Sequence, residues 1–395
     1  MSIIPVRTIT VHIGEPHPLS NTTLMRAKKF LHVAAQLFLE SGFEIQMLGV
    51  STRPLFLDHG HARESEITSY ANTLQMRCED HGIKHLSLGP ILADNPRIPV
   101  ERVNLLPEIL APNSALYVSV QIASNTYGIS IEGVKSVARV INEIGKIAST
   151  GNVRLAVVAN CPSRSPFIHV TYQLDGEWGF SIGLQSASVV KDTLDKVADI
   201  SKSDSDKMQI ASEYLIAAFN REGRIISNLA LRLAREYNVP FDGLDLSPMP
   251  NGTESIAKAV EAVGIAFFGD PGTVTVLSTI TTALKKTSLK TCGFNSIFLP
   301  VHEDELIASR VASGQIDVSH LMLYSSVCDG ALDAIPIAMD TPDARIEAIL
   351  LDSATVATVF SKPIVIRLLP ISDQGTRVIA TFDLLRSAKV PIMMI

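Results

Sequence analysis

The sequence predicts an α/β fold, read as one large barrel-like domain over residues 1–395. β-branched runs alternate with helical stretches of 12–18 residues, the pattern of a parallel sheet covered by helices. Hydrophobic residues make up 46% of the chain and charged residues 19%, enough apolar material for a sizeable core. No repeat, low-complexity tract or obvious linker divides the chain; residues 201–207, SKSDSDK, are the most linker-like, and a helix cap or surface loop explains them equally well.

Residues 6–13 (VRTITVHI) form the first strand. Ser20 and Asn21 cap a helix whose apolar positions Leu24, Ala27, Leu31, Ala34 and Phe38 follow helical spacing, and Gly42 ends it. A strand over 43–50 follows, then a polar helix from Glu64 to Gly82 and a strand at 83–88. The unit recurs as a strand at 115–122, a helix at 130–147 and a strand at 153–159. Helices are expected at 187–200, 207–220, 224–236, 252–264 and 274–284, with a strand at 241–246 between them. Asp340-Thr341-Pro342 starts a helix through 346–359, since proline suits the first helical turn. Late strands are expected at 364–369 and 377–382.

Charge and cysteine usage exclude several classes. The net charge is −6, and no Lys/Arg run is longer than two, so neither a nucleic acid nor an anionic membrane surface is expected as a partner. Cys78, Cys161, Cys292 and Cys328 lack CxxC spacing, which fits reduced thiols in a cytoplasmic protein. The N-terminus reads as a strand rather than a signal peptide, and the apolar runs are too short to span a bilayer.

Several motifs carry chemistry, each beside a plainer structural reading. Asp58-His59-Gly60-His61 has chelating spacing but no third ligand, and a surface loop accounts for it. Gly269-Asp-Pro-Gly272-Thr273 precedes a helix; its amides could hold an anion, or it is a turn and cap. His302-Glu303-Asp304-Glu305 follows an apolar run. Glu303 and Asp304 are then either a carboxylate pair at a strand end or the acidic start of a helix. Cys328 is a core thiol unless the fold brings His302 or His169 near it as a base. Residues 167–172 and 178–183 hold His169, the single tryptophan and an aromatic group, either a pocket wall or core strands. The block 328–341, CDGALDAIPIAMDT, sets Asp329, Asp333 and Asp340 among apolar residues, as an exposed loop or an organised polar site.

Taken together these segments resemble the DUF711 family, also called UPF0210. The resemblance rests on Val6-Arg7-Thr8-Ile9-Thr10, Phe180-Ser181-Ile182-Gly183-Leu184 (with Gln185 for the family's Glu) and Gly243-Leu244-Asp245-Leu246-Ser247-Pro248-Met249-Pro250. It rests also on Gly272-Thr273, on Phe298-Leu299-Pro300-Val301-His302-Glu303-Asp304, and on Cys328, Leu332, Asp333, Asp340 and Thr341. It implies a ten-stranded α/β barrel of the pyruvate formate-lyase-like type. The glycyl radical enzymes of that type need a radical glycine near the C-terminus. Here no glycine follows Gly375, so no glycyl radical is expected. The family's IPGDT is IAMDT at 337–341, and its late glycines are replaced around Asp383 to Ser387, marks of a divergent member.

The expected function is a non-redox enzyme acting on a small polar metabolite, of lyase, isomerase or hydrolase type. Glu303, Asp304 and Asp333 are the candidate acid/base groups, with Cys328 and His169 facing the same cavity. Glu303, Asp304 and Asp340 are the candidate ligands for a divalent cation, Ca or Mg, and Gly272 and Thr273 the candidate cofactor contacts. Neither NAD nor PLP is expected, and a homo-oligomer is. The alternative is a small-molecule sensor without catalysis that pairs with an ACT-domain-like protein, as many bacterial relatives resemble such partners. A deep pocket with converging carboxylates favours the enzyme, and a flat apolar partner surface favours the sensor.

Overall fold

The alternating strand and helix signals become a ten-stave barrel wrapped in helices. It is seen in a computed structural model that describes residues 4–148, 150–200, 204–371, 392, 393 and 395. The strands are β1 (Val6–His12), β2 (Ile45–Ser51), β3 (Leu86–Leu92), β4 (Leu116–Ser124), β5 (Gly128–Ile129), β6 (Leu155–Ala159), β7 (Gly179–Leu184), β8 (Phe241–Asp245), β9 (Leu332–Ala338) and β10 (Ile364–Ile371). The helices are α1 (Asn21–Glu40), α2 (Leu55–Asp58), α3 (Glu64–His81), α4 (Leu106–Leu110), α5 (Ile131–Ile147), α6 (Ala187–Ala198), α7 (Asp204–Tyr237), α8 (Ile256–Ala262), α9 (Thr273–Lys285), α10 (Glu305–Ala312), α11 (Val318–Tyr324) and α12 (Asp343–Val359).

The sheet runs β8-β7-β1-β2-β3-β4-β6-β10-β9, with β5 a short hairpin strand on β4. Residues 290–299 close it as a tenth stave. Leu244 N donates to Lys290 O and Cys292 N to Leu244 O, both at 2.9 Å. At the far end Leu299 N donates to Gly330 O at 2.9 Å and Gly330 N to Ile297 O at 3.2 Å. Both bridges are parallel. The barrel therefore has two parallel halves. One is β1, β2, β3, β4 and β6; the other is β7, β8, the closing stave, β9 and β10. They meet antiparallel at the seams β1–β7 and β6–β10.

The chain between the halves turns inward. Thr10 Oγ1 donates to Pro166 O at 2.6 Å, Ser87 Oγ to Thr171 O at 2.8 Å, and Gln173 N to Thr52 O at 3.0 Å. Phe167, Val170 and Tyr172 pack with residues of β6, β10 and the closing stave. Gly49 of β2 makes room for this segment, because a Cβ there would lie 3.1 Å from the Ile168 side chain. The backbone thus satisfies its polar groups on strand side chains inside a barrel that side chains alone would otherwise fill.

Four expectations change. The helices expected at 207–220 and 224–236 are one helix, α7. Its Gly223 is there for close packing against Leu289, not for a break. Residues 167–172 are the inward segment rather than core strands. The block 328–341 is mostly the buried strand β9 rather than an exposed loop. The helix expected over 252–264 begins only at Ile256, because residues 251–254 form a bridge turn. The strand expected at 377–382 lies outside the described residues. The Asp58-His59-Gly60-His61 stretch is a structural turn: Asp58 takes three bonds from the Arg53 guanidinium, His59 packs on Tyr70, and His61 is exposed.

Candidate functional site

At the inner end of the central segment lies a small polar cavity lined by Arg7, Thr8, Met47, Phe167, Ile168, His169, Met249, Glu303, Asp333 and Arg367. Its volume is about 30 Å³, room for a water or two. Its residues come from β1, β2, the inward segment, the turn after β8, the turn after the closing stave, β9 and β10.

Two ion pairs face each other across it. The Arg7 guanidinium donates to Glu303 Oε2 at 2.8 Å and to Gln185 Oε1 at 2.9 Å. The Arg367 guanidinium donates to Asp333 Oδ1 at 2.5 Å and Oδ2 at 2.9 Å, a fork geometry suited to a carboxylate. Both members of the second pair are buried, at 4% and 1% exposure. Burial pushes the Asp333 carboxyl up, but the Arg367 charge outweighs it and holds the group below the usual carboxylate range.

Two imidazoles are close by: His169 lines the cavity, and His302 lies beside Glu303. His169 Nε2 is fully buried and has no hydrogen-bond partner among the described residues. Burial, helped by the Arg367 charge, pushes the ring down to about 3, so it is neutral at pH 7. His302 Nδ1 lies 3.4 Å from Ala334 O and its Nε2 3.6 Å from Glu303 Oε1. Burial lowers this ring as well.

The structure therefore brings Glu303 and Asp333 into one cavity with His169. Asp304 is turned away. Its carboxylate accepts from Leu306 N and Ile307 N at the start of α10, and from Ser255 Oγ, Ile256 N and Ala257 N at the start of α8. It caps two helices and has no face left for substrate or cation. Asp340 is exposed in the turn before α12. The three carboxylates expected to share a cation are thus apart, and among the described residues no group of three His, Cys, Asp or Glu is placed to hold a metal ion. Cys328 does not face the cavity. It is fully buried in the apolar core, where burial pushes its thiol up, away from nucleophilic use. Gly272, at φ 106°, and Thr273 form the turn into α9, and the Thr273 hydroxyl accepts from Gly269 N at 3.2 Å, a local cap rather than an open anion seat. Trp178 sits elsewhere, under the Arg26 guanidinium, with its ring N–H on Glu15.

Sequence reasoning missed Arg7 and Arg367. Both sit in strand patterns, where a charge within a buried run is the only signal.

The double cap gives a first expected result. Asp304→Ala removes the acceptor for five donors, and each lost cap costs about 1 kcal/mol with further cost for buried orphan N–H groups. Urea unfolding should show a loss of roughly 2–3 kcal/mol. A loss under about 0.5 kcal/mol would mean that the caps do not depend on this carboxylate.

The family model described as "Uncharacterised ACR (DUF711)" matches residues 2–382. A UPF0210 protein of Oenococcus oeni is 28% identical over 362 residues, covering 89% of this chain and 79% of that protein. A UPF0210 protein of Streptococcus thermophilus is 26% identical over 390 residues, covering 94% and 86%. Among solved structures, the anaerobic ribonucleotide reductase from Thermotoga maritima in complex with dATP and CTP matches with a TM-score of 0.43 at 9% identity, covering 92% of this chain and 74% of that one. With a family model spanning nearly its whole length, and the motifs from Arg7 to Thr341 in order, the chain belongs to the DUF711 family.

Proposed function

We propose that the protein is a non-redox enzyme that moves a proton on a small polar metabolite bound in the central cavity. The observation that carries this reading is the unpartnered Nε2 of His169, buried in a cavity with two carboxylates and two guanidinia. A buried polar atom without a partner costs free energy, and such groups concentrate where a ligand completes the bonding. In this reading Glu303 takes the proton. Neutral His169 offers a lone pair or an N–H to the reacting oxygen or nitrogen, and the guanidinia fix the substrate. Asp333, held ionised by Arg367, keeps that arginine in place.

The test is chemical turnover. Wild-type protein is incubated with pooled small polar metabolites and followed by NMR. One compound should change, and Glu303→Gln should slow that change by about 100-fold or more while the compound still binds. A compound that binds the wild type and is never altered would favour the sensor reading.

A further inference from the structure

The barrel wall is incomplete beside this cavity. β2 pairs with β3 only at Val50↔Leu86 and Ser51↔Ser87. Among the described residues the stretch Ile45, Gln46, Met47 and Leu48 therefore has no ladder on that side, and all four residues are only half-buried. Outside this gap runs a groove of about 500 Å³ between α1 and the turn before β3. Its apolar surface comes from Leu31, Leu39, Leu48 and Ile83, with Lys28 and Lys84 beside it. The volume falls within the range of small-molecule sites, roughly 300–1,000 Å³. Met47 lines both the groove and the inner cavity. It is an unbranched side chain that changes rotamer readily and borders both spaces.

The charges inside limit what can enter. Arg7 and Arg367 are matched by Glu303 and Asp333, and the imidazoles are neutral. A head of one sign would leave an uncompensated buried charge. A head with both signs can exchange contacts in kind, its anion toward a guanidinium and its cation toward a carboxylate. An uncharged head would gain only the weaker neutral bonds.

We propose that groove and cavity are two parts of one ligand site, whose ligand is an α-amino acid with an apolar side chain. Met47 turning aside joins the two spaces and enlarges the water-sized cavity, so that the zwitterionic head reaches Arg7, Glu303, Asp333 and Arg367 while the apolar chain passes through the β2–β3 gap into the groove. This rests on the cavity being the functional site, as proposed above, and adds the class of ligand and its route.

Calorimetric titration of the full chain tests it with norleucine, alanine, hexanoate and hexylamine as probes. Norleucine should bind, and hexanoate and hexylamine should bind at least about 10-fold more weakly, each lacking one charge. Met47→Trp should weaken norleucine by about 10-fold or more. Leu39 is 58% exposed, so Leu39→Glu leaves the core untouched. It should weaken norleucine but not alanine, whose side chain stops short of the groove. Norleucine binding that survives Met47→Trp and Leu39→Glu but is lost in Glu303→Gln would overturn the route and keep the site. Binding indifferent to Glu303→Gln would overturn the site itself. Equal binding of hexanoate or hexylamine, or no binding by any probe, would overturn the zwitterionic head.

Discussion

Replacing Arg367 with leucine should cost about 3–5 kcal/mol of folding stability, because Asp333 is left as a buried carboxylate without its partner. Asp333 sits at 1% exposure, and its two oxygens both rely on this guanidinium. The cavity beside it has room for only a water or two, too little to replace the two bonds of the guanidinium, so the unpaired group must either take up a proton or remain charged with incomplete solvation. The pair as a whole is a different matter, since desolvating two charges offsets much of their attraction. The double variant Asp333→Leu with Arg367→Leu should therefore recover most of the loss. Denaturant unfolding of the two single variants and the double variant closes the cycle. A single-variant loss below about 1 kcal/mol would show that the pair is solvated.

Acid should weaken the fold well above the carboxylate range. His12, His17, His169 and His302 are all buried. Burial lowers His12 and His169 to about 3 and His17 to about 4, and it lowers His302 as well. In the unfolded chain a histidine titrates near 6.5. Between that pH and the folded values the unfolded chain binds more protons, so stability rises with pH there. The contribution is fully present above about pH 6.5 and is lost as pH falls toward the folded values. Asp94, Asp242, Asp245, Glu254, Asp304 and Asp329, raised by burial, act in the opposite sense above the ordinary carboxylate range, within the same pH span, so the histidine part is read as a difference. His169→Gln removes one titrating ring. The slope of unfolding free energy between pH 6 and 4 should flatten by about 1.4 kcal/mol per pH unit. Equal slopes for variant and wild type would mean that His169 takes up its proton in the folded state as readily as in the unfolded chain.

The elements with strong local signals were legible in the sequence. Helix α1, capped by Ser20 and spaced from Leu24 to Phe38, lies where the pattern puts it, as do α5 and α12. Barrel closure was not legible, because residues 290–299 bond through scattered backbone groups rather than a continuous ladder, and no periodicity marks such a stave. Half of the site was readable. Glu303, Asp333 and His169 stood out as polar groups beside apolar runs, and they do meet. Asp304 stood out for the same reason, yet its neighbours turn it into a cap. Sequence shows that a carboxylate is present but not which N–H groups will face it. Cys328 drew notice through the polar residues around it, and the fold buried it among apolar ones. The β2–β3 gap depends on where β3 begins, and strand ends are poorly marked by pattern alone.

The double cap at Asp304 also has a mechanical meaning. Glu303 is fixed from two sides: its carbonyl accepts from Gly252 N at 2.7 Å, and its next residue rivets α8 to α10. Arg7 and Arg367, by contrast, ride on β1 and β10, strands laddered on both edges. The cations thus belong to the rigid frame, while the Glu303 carboxylate belongs to a helix pair outside it. The Arg7–Glu303 contact therefore ties the barrel wall to the turn whose Asp304 joins α8 to α10.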